Sequence, residues 1–177
     1  NESVECAQQC WDAGAHEIHL HVRDANGGHS LSVELYQQAI EAIKERVPEM
    51  GVQITTEAVG IYSVEEQFAL LKALKPAAAS IAIRESMRTP ELVPSLYALA
   101  QEADIQVQHI LYSHADLAVL RELLDTGMIP DTMRDVLLVF GTYAPPRLAE
   151  PSEVAPFVEA LGGDFPNWTI CAFGQQE

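Results

Sequence analysis

The sequence predicts an α/β protein of the (β/α)8 TIM barrel class. Short β-rich runs alternate with amphipathic helical stretches along all 177 residues, and this alternation is typical of a parallel sheet covered by helices. A doubly wound open sheet fits the alternation equally well. Polar residues, however, stand at the carboxyl ends of several strands, and only a barrel brings all of those ends to one mouth. These residues favour the barrel: His21, Thr56, Ser80, His114 and Gly141.

Local signals justify the elements of the first half in order. Ser3 is placed to cap a helix that runs to Ala13, with Gly14 as its stop. The apolar run 17–22 predicts a strand, and apolar residues at helical spacing predict a helix over 31–47. The first half continues with a β-branched strand at 52–56, a helix opened by Ser63, and a strand at 79–83.

The second half repeats the scheme. Pro90 begins a helix that runs to Ala100, and a strand follows over 105–111. The next helix, 115–124, ends before Gly127, and the almost wholly apolar run 136–140 is typical of a strand covered on both faces. The last two elements are a helix capped by Ser152 that runs to Leu161, and a strand at 168–173.

About six βα units are therefore expected, in a single barrel domain over residues 1–177. A full barrel takes about 250 residues, so the first and last strands are expected to lie outside the sequence. An open barrel of six strands would leave two long edges unpaired. We expect the domain to be incomplete at both ends.

Composition excludes several classes of function. The 26 acidic and 10 basic residues give a net charge of −16, and such a surface repels nucleic acids and anionic membranes. The sequence has no apolar stretch that could span a bilayer and no secretory signal. Its three cysteines, Cys6, Cys10 and Cys171, are expected to be reduced thiols of a cytoplasmic protein. Cys6 and Cys10 have a spacing that can bind metal, but we expect them to pack against the sheet.

The segment His19-Leu20-His21-Val22-Arg23-Asp24 carries the strongest chemical signal. Side chains two apart on a strand point to the same face, so His19 and His21 are expected to project side by side. Paired imidazoles on a rigid strand suit a divalent transition metal, most often zinc. The sequence therefore predicts a metal site at the carboxyl end of this strand.

These residues resemble a known family. The segment His19–Asp24, preceded by Ala13-Gly14-Ala15, is similar to the opening of the β-keto acid cleavage enzymes, of the 3-keto-5-aminohexanoate cleavage enzyme type. The similarity is that of a divergent member and extends along the chain through Thr55-Thr56, Ala79-Ser80-Ile81, Ser113-His114 and Trp168-Thr169-Ile170.

The resemblance implies a zinc-dependent transferase with a (β/α)8 barrel fold. Such an enzyme condenses a β-keto acid with acetyl-CoA to give acetoacetate and a new acyl-CoA. The resemblance implies that His19 and His21 bind Zn²⁺ or another divalent transition metal. It places the third metal ligand and a catalytic arginine and aspartate outside this chain. It also implies acetyl-CoA as co-substrate and a homo-oligomer, commonly a tetramer.

Other site residues are expected by the same resemblance or by position. Thr56 and Ser80 match two hydroxyl residues that contact substrate, although each could instead cap a loop. Arg23 could bind a substrate anion or form a structural ion pair with Asp24 or Glu57. His114 could act as a general acid–base or cap its loop. His109 should face the helices, because it alternates with its neighbour.

Several positions depart from the family pattern and leave the substrate, and even the reaction, open. Ala82 stands where many members of the family have an asparagine. Gln108, which could act in catalysis or orient substrate, replaces a glutamate usual on the fifth strand. The loop 57–60 is less rich in glycine, and Gly174-Gln175 replaces Gly-Arg.

Two alternatives belong to other classes of function. Metal-dependent hydrolases of the amidohydrolase type also open with His-x-His, but they need histidines on later strands. His109 and His114 are candidates, whereas 136–143 contains none. A catalytically inactive barrel that binds a metabolite is the other alternative.

Overall fold

The computed structural model describes residues 2–143 and 146–173. Contacts between Cα atoms divide the chain into two compact units. The first unit comprises residues 1–80 and 98–106, and the second comprises residues 81–97 and 107–177.

Helices and strands alternate through the described residues. The helices are α1 (Glu2–Asp12), α2 (Val33–Arg46), α3 (Val64–Leu74), α4 (Ile83–Ser86), α5 (Val93–Glu102), α6 (His114–Asp125) and α7 (Val154–Leu161). The strands are β1 (Glu17–Leu20), β2 (Val22–Arg23), β3 (His29–Ser30), β4 (Gly51–Thr55), β5 (Ala78–Ala82), β6 (Gln106–Leu111), β7 (Asp135–Phe140), β8 (Thr142–Tyr143), β9 (Pro146–Arg147) and β10 (Trp168–Ala172).

The principal sheet has six strands, and their order, β1-β4-β5-β6-β7-β10, is that of the chain. Within the first unit β4 pairs in parallel with β1 and with β5. Within the second unit β7 pairs in parallel with β6 and with β10. Parallel strands joined by helices in chain order are the repeat of a (β/α)8 barrel, so the predicted fold class is confirmed.

In the first unit α2 packs against α1 and α3, and β1 pairs with β4. Leu20, Val52 and Ile54 are buried, and the buried Tyr36 of α2 donates from its hydroxyl to the Thr55 carbonyl (3.0 Å). This bond satisfies a buried polar group and attaches α2 to the end of β4. Trp11 of α1 lies edge-on to His16.

The second unit has its own apolar cluster. Ala82, Ile110 and Val139 are buried together, each on a different strand. Gly141 follows β7 with a φ of +81°, and a Cβ there would lie 2.7 Å from the Phe173 carbonyl oxygen. Only glycine fits such a position without strain or displacement. On β10, the edge strand of the sheet, Trp168 is 42% exposed.

Several local predictions were wrong in detail. Cys6 was expected to pack against the sheet, but its side chain is exposed. The predicted strand 17–22 is interrupted at His21, because the chain leaves β1 there to form the antiparallel hairpin of β2 and β3. Ser3 lies inside α1, which begins at Glu2. Ser152 does not cap α7, since Pro151 starts a short 3₁₀ turn whose N–H groups are capped by Glu150 and Glu153 instead.

None of the helices in the described part of the chain has the length and apolar character needed to cross a bilayer.

Candidate active site

His19 is positioned by the register of two parallel strands. It lies directly opposite Gln53 in the pairing of β1 with β4, so the two side chains share one face of the sheet. The Nδ1 atom of His19 lies 2.6 Å from Oε1 of Gln53. An imidazole that donates from Nδ1 to this amide oxygen carries a lone pair at Nε2.

His21 follows directly after β1, and its ring meets that of His19. The ring centroids are 4.9 Å apart, and the two Nε2 atoms are 3.0 Å apart. The structure thus brings the two predicted ligands together through the same nitrogen of each ring.

His21 is held in its neutral form by its surroundings. Burial, followed by the nearby His19, His29 and Arg23, lowers the pKa of His21 to about 4. The Glu57 carboxylate approaches its Nδ1 at 3.7 Å. That separation is too long for a hydrogen bond. His21 and Glu57 do not form an ion pair at neutral pH either, because the His21 ring is uncharged. A neutral ring is the form that binds metal.

A third histidine supports the loop beside these rings. Nε2 of His29, on β3, donates to the carbonyl of Glu57 (2.7 Å), and the Tyr62 hydroxyl donates to the carbonyl of His29 (3.3 Å). The His29 and His21 rings are 5.5 Å apart. These bonds attach the loop after β4 to the β2–β3 hairpin.

The paired rings fit a metal ion. At a tetrahedral zinc with Zn–N distances of about 2.0–2.1 Å, two ligand nitrogens lie roughly 3.3 Å apart, close to the 3.0 Å between the Nε2 atoms. The Gln53 amide oxygen faces Nδ1 of His19, and the Glu57 carboxylate faces Nδ1 of His21. In many metal sites a protein oxygen likewise orients each histidine ligand through the ring nitrogen that does not bind the metal. Residues 2–143 and 146–173 contain no group of three or more His, Cys, Asp or Glu side chains suited to a metal. His19 and His21 thus offer two ligands.

The hydroxyl groups of the two predicted substrate-contacting residues, Thr56 and Ser80, differ in their hydrogen bonds. Thr56 is 1% exposed and Ser80 is fully buried. The Thr56 hydroxyl donates to the carbonyl of Ser80 (2.8 Å). The Ser80 hydroxyl has no hydrogen-bond partner among the described residues, so none of them accepts its proton. Their role in binding substrate stays a prediction.

Arg23 is exposed on β2, and the described residues give it no ion pair. Asp24 does not bond to it, because its Oδ1 accepts the N–H groups of Asn26 (2.8 Å) and Gly28 (2.9 Å) in the hairpin turn. Burial is the main cause of the lowered pKa of His21, and the Arg23 guanidinium is the smallest contributor, so the charge of Arg23 acts weakly at His21. The choice between a substrate contact and a structural role stays open.

The remaining predicted residues belong to the second unit. Nε2 of Gln108 donates to the Thr169 hydroxyl (3.0 Å), which links β6 to β10. His114 is exposed at the start of α6 and stacks on Phe157 (4.6 Å between centroids). His109 is fully buried and stacks on Tyr97 of α5. It therefore faces a helix, as predicted, and this orientation weakens the amidohydrolase alternative.

Sequence reasoning missed three residues of the site: Gln53, His29 and the role of Glu57 behind His21. Gln53 could have been found by pairing 17–20 with 51–54 as neighbouring parallel strands, which places it opposite His19. Gly174-Gln175 lies outside the described residues, so its departure from the family pattern stays a prediction.

A cavity of about 300 Å³ lies elsewhere in the first unit. It is lined by Gly51 and Val52 at the amino end of β4, and by side chains of α2 and of the segment after α3. The paired histidines and Glu57 stand at the opposite ends of their strands, so this cavity is not part of their site.

Parallel βα units with paired imidazoles at the carboxyl end of a strand define a protein of the (β/α)8 barrel class with a candidate metal site. A family model, the beta-keto acid cleavage enzyme, matches residues 1–177. The chain belongs to this family, and the sequence-based identification is confirmed.

Two curated relatives agree with this assignment. The 3-keto-5-aminohexanoate cleavage enzyme of Acetoanaerobium sticklandii is 40% identical over 81 residues, which cover 45% of this chain and 29% of that protein. The enzyme of the same name from Fusobacterium nucleatum is 40% identical over 60 residues, covering 33% of this chain and 22% of that protein. The matched segments therefore span less than a third of these relatives.

Among solved structures, the binary complex of ObcA with oxaloacetate is similar in fold. Its TM-score is 0.68 at 15% identity, and the match covers 94% of this chain and 49% of that chain. At this identity the likeness shows the fold alone.

Proposed function

We propose that this chain carries the paired-histidine part of a zinc-dependent β-keto acid cleavage enzyme. The enzyme condenses a β-keto acid with acetyl-CoA and releases acetoacetate and a new acyl-CoA. The observation that carries the proposal is the convergence of the His19 and His21 Nε2 atoms, 3.0 Å apart, in a chain of this family. Zn²⁺ or another divalent transition metal is the expected cofactor.

His19 and His21 would hold the cation through Nε2. A bound cation supplies Lewis acidity, which polarises a keto group and stabilises the negative charge that develops on it when the carbon–carbon bond breaks. The third ligand and the catalytic arginine and aspartate are expected outside this chain.

The other residues of the chain would bind and orient substrate. A substrate carboxylate needs hydrogen-bond donors, and the unpartnered Ser80 hydroxyl is better suited to supply one than Thr56, whose proton is used within the protein. Arg23 is an exposed cation whose charge reaches His21, and it would favour the approach of an anion. Gln108 and His114 are further candidates for orienting substrate or moving protons.

Several wider properties belong to the same proposal. The substrates are small molecules, a β-keto acid and acetyl-CoA, and the acidic surface disfavours nucleic acid and membrane surfaces as partners. We further propose a single barrel domain, a cytoplasmic location and a homo-oligomer, with a tetramer as the expected form.

An isotope experiment tests the reaction. The intact protein is incubated with zinc, a β-keto acid and acetyl-CoA labelled with ¹³C in both acetyl carbons. Transfer of the acetyl group places the label in carbons 3 and 4 of acetoacetate and leaves the new acyl-CoA unlabelled. The double variant His19→Ala/His21→Ala should lose bound zinc and turnover.

Each other outcome points to a different class. Unlabelled acetoacetate, or full turnover by the double variant, would contradict the proposal. Release of an amine or alcohol from amide or ester substrates would favour the hydrolase alternative. Binding of the keto acid without any product would favour a metabolite-binding barrel.

A further inference from the structure

A protein oxygen lies near the Nδ1 atom of each of the two rings, His19 and His21. The two Nε2 atoms converge at 3.0 Å, whereas Nδ1 of His19 lies 2.6 Å from Oε1 of Gln53. Nδ1 of His21 lies 3.7 Å from Oε2 of Glu57. Each ring therefore has a protein oxygen near its Nδ1 atom, whereas its Nε2 atom faces the other ring.

Gln53 is fixed by the fold and can accept a hydrogen bond only through its amide oxygen. Its backbone is paired with β1 directly opposite His19, and its side chain is half-buried. An acceptor at Nδ1 selects the imidazole tautomer that carries its proton there and presents a lone pair at Nε2. Gln53 therefore sets both the tautomer and the orientation of the His19 ring.

Glu57 lies in a loop, yet both of its backbone polar groups are used. Its N–H donates to the buried Thr55 hydroxyl (3.0 Å), and its carbonyl accepts from Nε2 of His29 (2.7 Å). The carbonyl of His29 in turn accepts from the Tyr62 hydroxyl. A residue held at both ends keeps its side chain in a restricted region, which here lies beside Nδ1 of His21.

The Glu57 carboxylate acts through charge. At 3.7 Å from a neutral ring it makes no hydrogen bond. Binding of a cation at Nε2 draws electron density from the imidazole and makes the ring more positive. A carboxylate close to the far side of the ring then becomes favourable, and its effect is strong where water is partly excluded.

We propose that Gln53 and Glu57 are positioning residues that orient and polarise His19 and His21 for a bound cation. Gln53 acts by accepting the Nδ1 proton of His19, and Glu57 acts by its negative charge beside His21. This inference rests on the proposed metal-dependent function, but it concerns residues that do not themselves bind the metal.

Zinc affinity of the intact protein, measured by competition with a chromophoric chelator, tests the proposal. Gln53→Leu removes the acceptor, and we expect affinity to fall about 10- to 100-fold. Gln53→Glu keeps an acceptor oxygen, and we expect affinity to stay near the native value or to rise. Glu57→Gln removes the charge, and we expect a loss of about 10-fold. Glu65→Gln, on the exposed surface of α3, is the matched control and should not change affinity.

A second measurement needs no metal. Ring ¹⁵N chemical shifts report the tautomer of His19, and we expect the proton to reside mainly on Nδ1 in the native protein and less so in Gln53→Leu. Thermal unfolding of each metal-free variant identifies any that fail to fold.

The outcomes separate the two proposals. A native protein that binds neither zinc nor another divalent transition metal overturns the proposed metal-dependent function. A native protein that binds zinc, with Gln53→Leu and Glu57→Gln equal to it in affinity, overturns the positioning roles alone. A native His19 with its proton on Nε2 also overturns the role of Gln53.

Discussion

Replacing Gly141 by alanine should destabilise the second unit through two separable effects. The φ of +81° at Gly141 lies in the left-handed region, which costs a residue with a Cβ about 1–2 kcal/mol. The added Cβ would also lie 2.7 Å from the carbonyl oxygen of Phe173 and 2.8 Å from that of Arg147. Both contacts are with backbone, which cannot rotate away, so crowding adds about 1–3 kcal/mol. The expected total is about 2–5 kcal/mol.

Gly127 offers a matched control for the conformational effect. Its φ is +71°, but a Cβ there would have no neighbour within 4 Å. Gly127→Ala should therefore cost only the left-handed strain, about 1–2 kcal/mol. Equilibrium unfolding in urea, followed by circular dichroism, gives both changes in the free energy of unfolding. Equal losses in the two variants would refute the claim that the backbone around Gly141 is closely packed.

Three further changes have defined outcomes. Burial lowers the pKa of His109 to about 4. Below pH 6.5 the unfolded state therefore binds more protons at this histidine than the folded state does. The free energy of unfolding should fall by about 3 kcal/mol as the pH drops from 6.5 to 4. Ser63→Ala removes the side chain that accepts from the Glu66 N–H in the capping box of α3 and should cost about 1 kcal/mol in urea unfolding. Asp116→Ala removes the carboxylate that accepts from the Tyr112 N–H and the Arg84 guanidinium and should cost about 2–3 kcal/mol by the same measurement.

Controls make each of these three predictions decisive. His109→Phe should flatten the loss of stability between pH 6.5 and 4, and an unchanged pH profile would exclude His109 as its source. Ser63→Thr keeps a hydroxyl and should retain most of the stability that Ser63→Ala loses. Asp116→Asn keeps an acceptor oxygen and should cost less than Asp116→Ala; an equal loss would show that the carboxylate oxygens are not used as described.

The sequence could predict the elements whose signals are local. Ser63 caps α3 as expected, because a capping box needs only two residues three positions apart. The β2–β3 hairpin was missed, although Asn26-Gly27 is a strong hairpin turn signal and Gly27 has a φ of +79°. The apolar run continued past Leu20 and hid the point where the chain leaves the sheet.

The site was predictable only in part. Alternation along one strand placed His19 and His21 together, since it depends on a period of two residues. Gln53 required the register between two strands, which no single segment specifies. Glu57 required the path of a loop, which is fixed by a hydrogen bond to His29, 28 residues earlier in the chain. Contacts of this kind arise from tertiary structure and leave no periodic pattern.

Each compact unit contains one of the two tryptophans of the chain. Trp11 lies in α1 of the first unit, and Trp168 lies in β10 of the second. Trp11→Phe leaves an indole only in the second unit, and Trp168→Phe leaves one only in the first. The intrinsic fluorescence of these two variants therefore follows the melting of each half of the chain separately, without any extrinsic dye. Coincident curves would mean that the halves melt cooperatively, whereas separated curves would give each half its own midpoint.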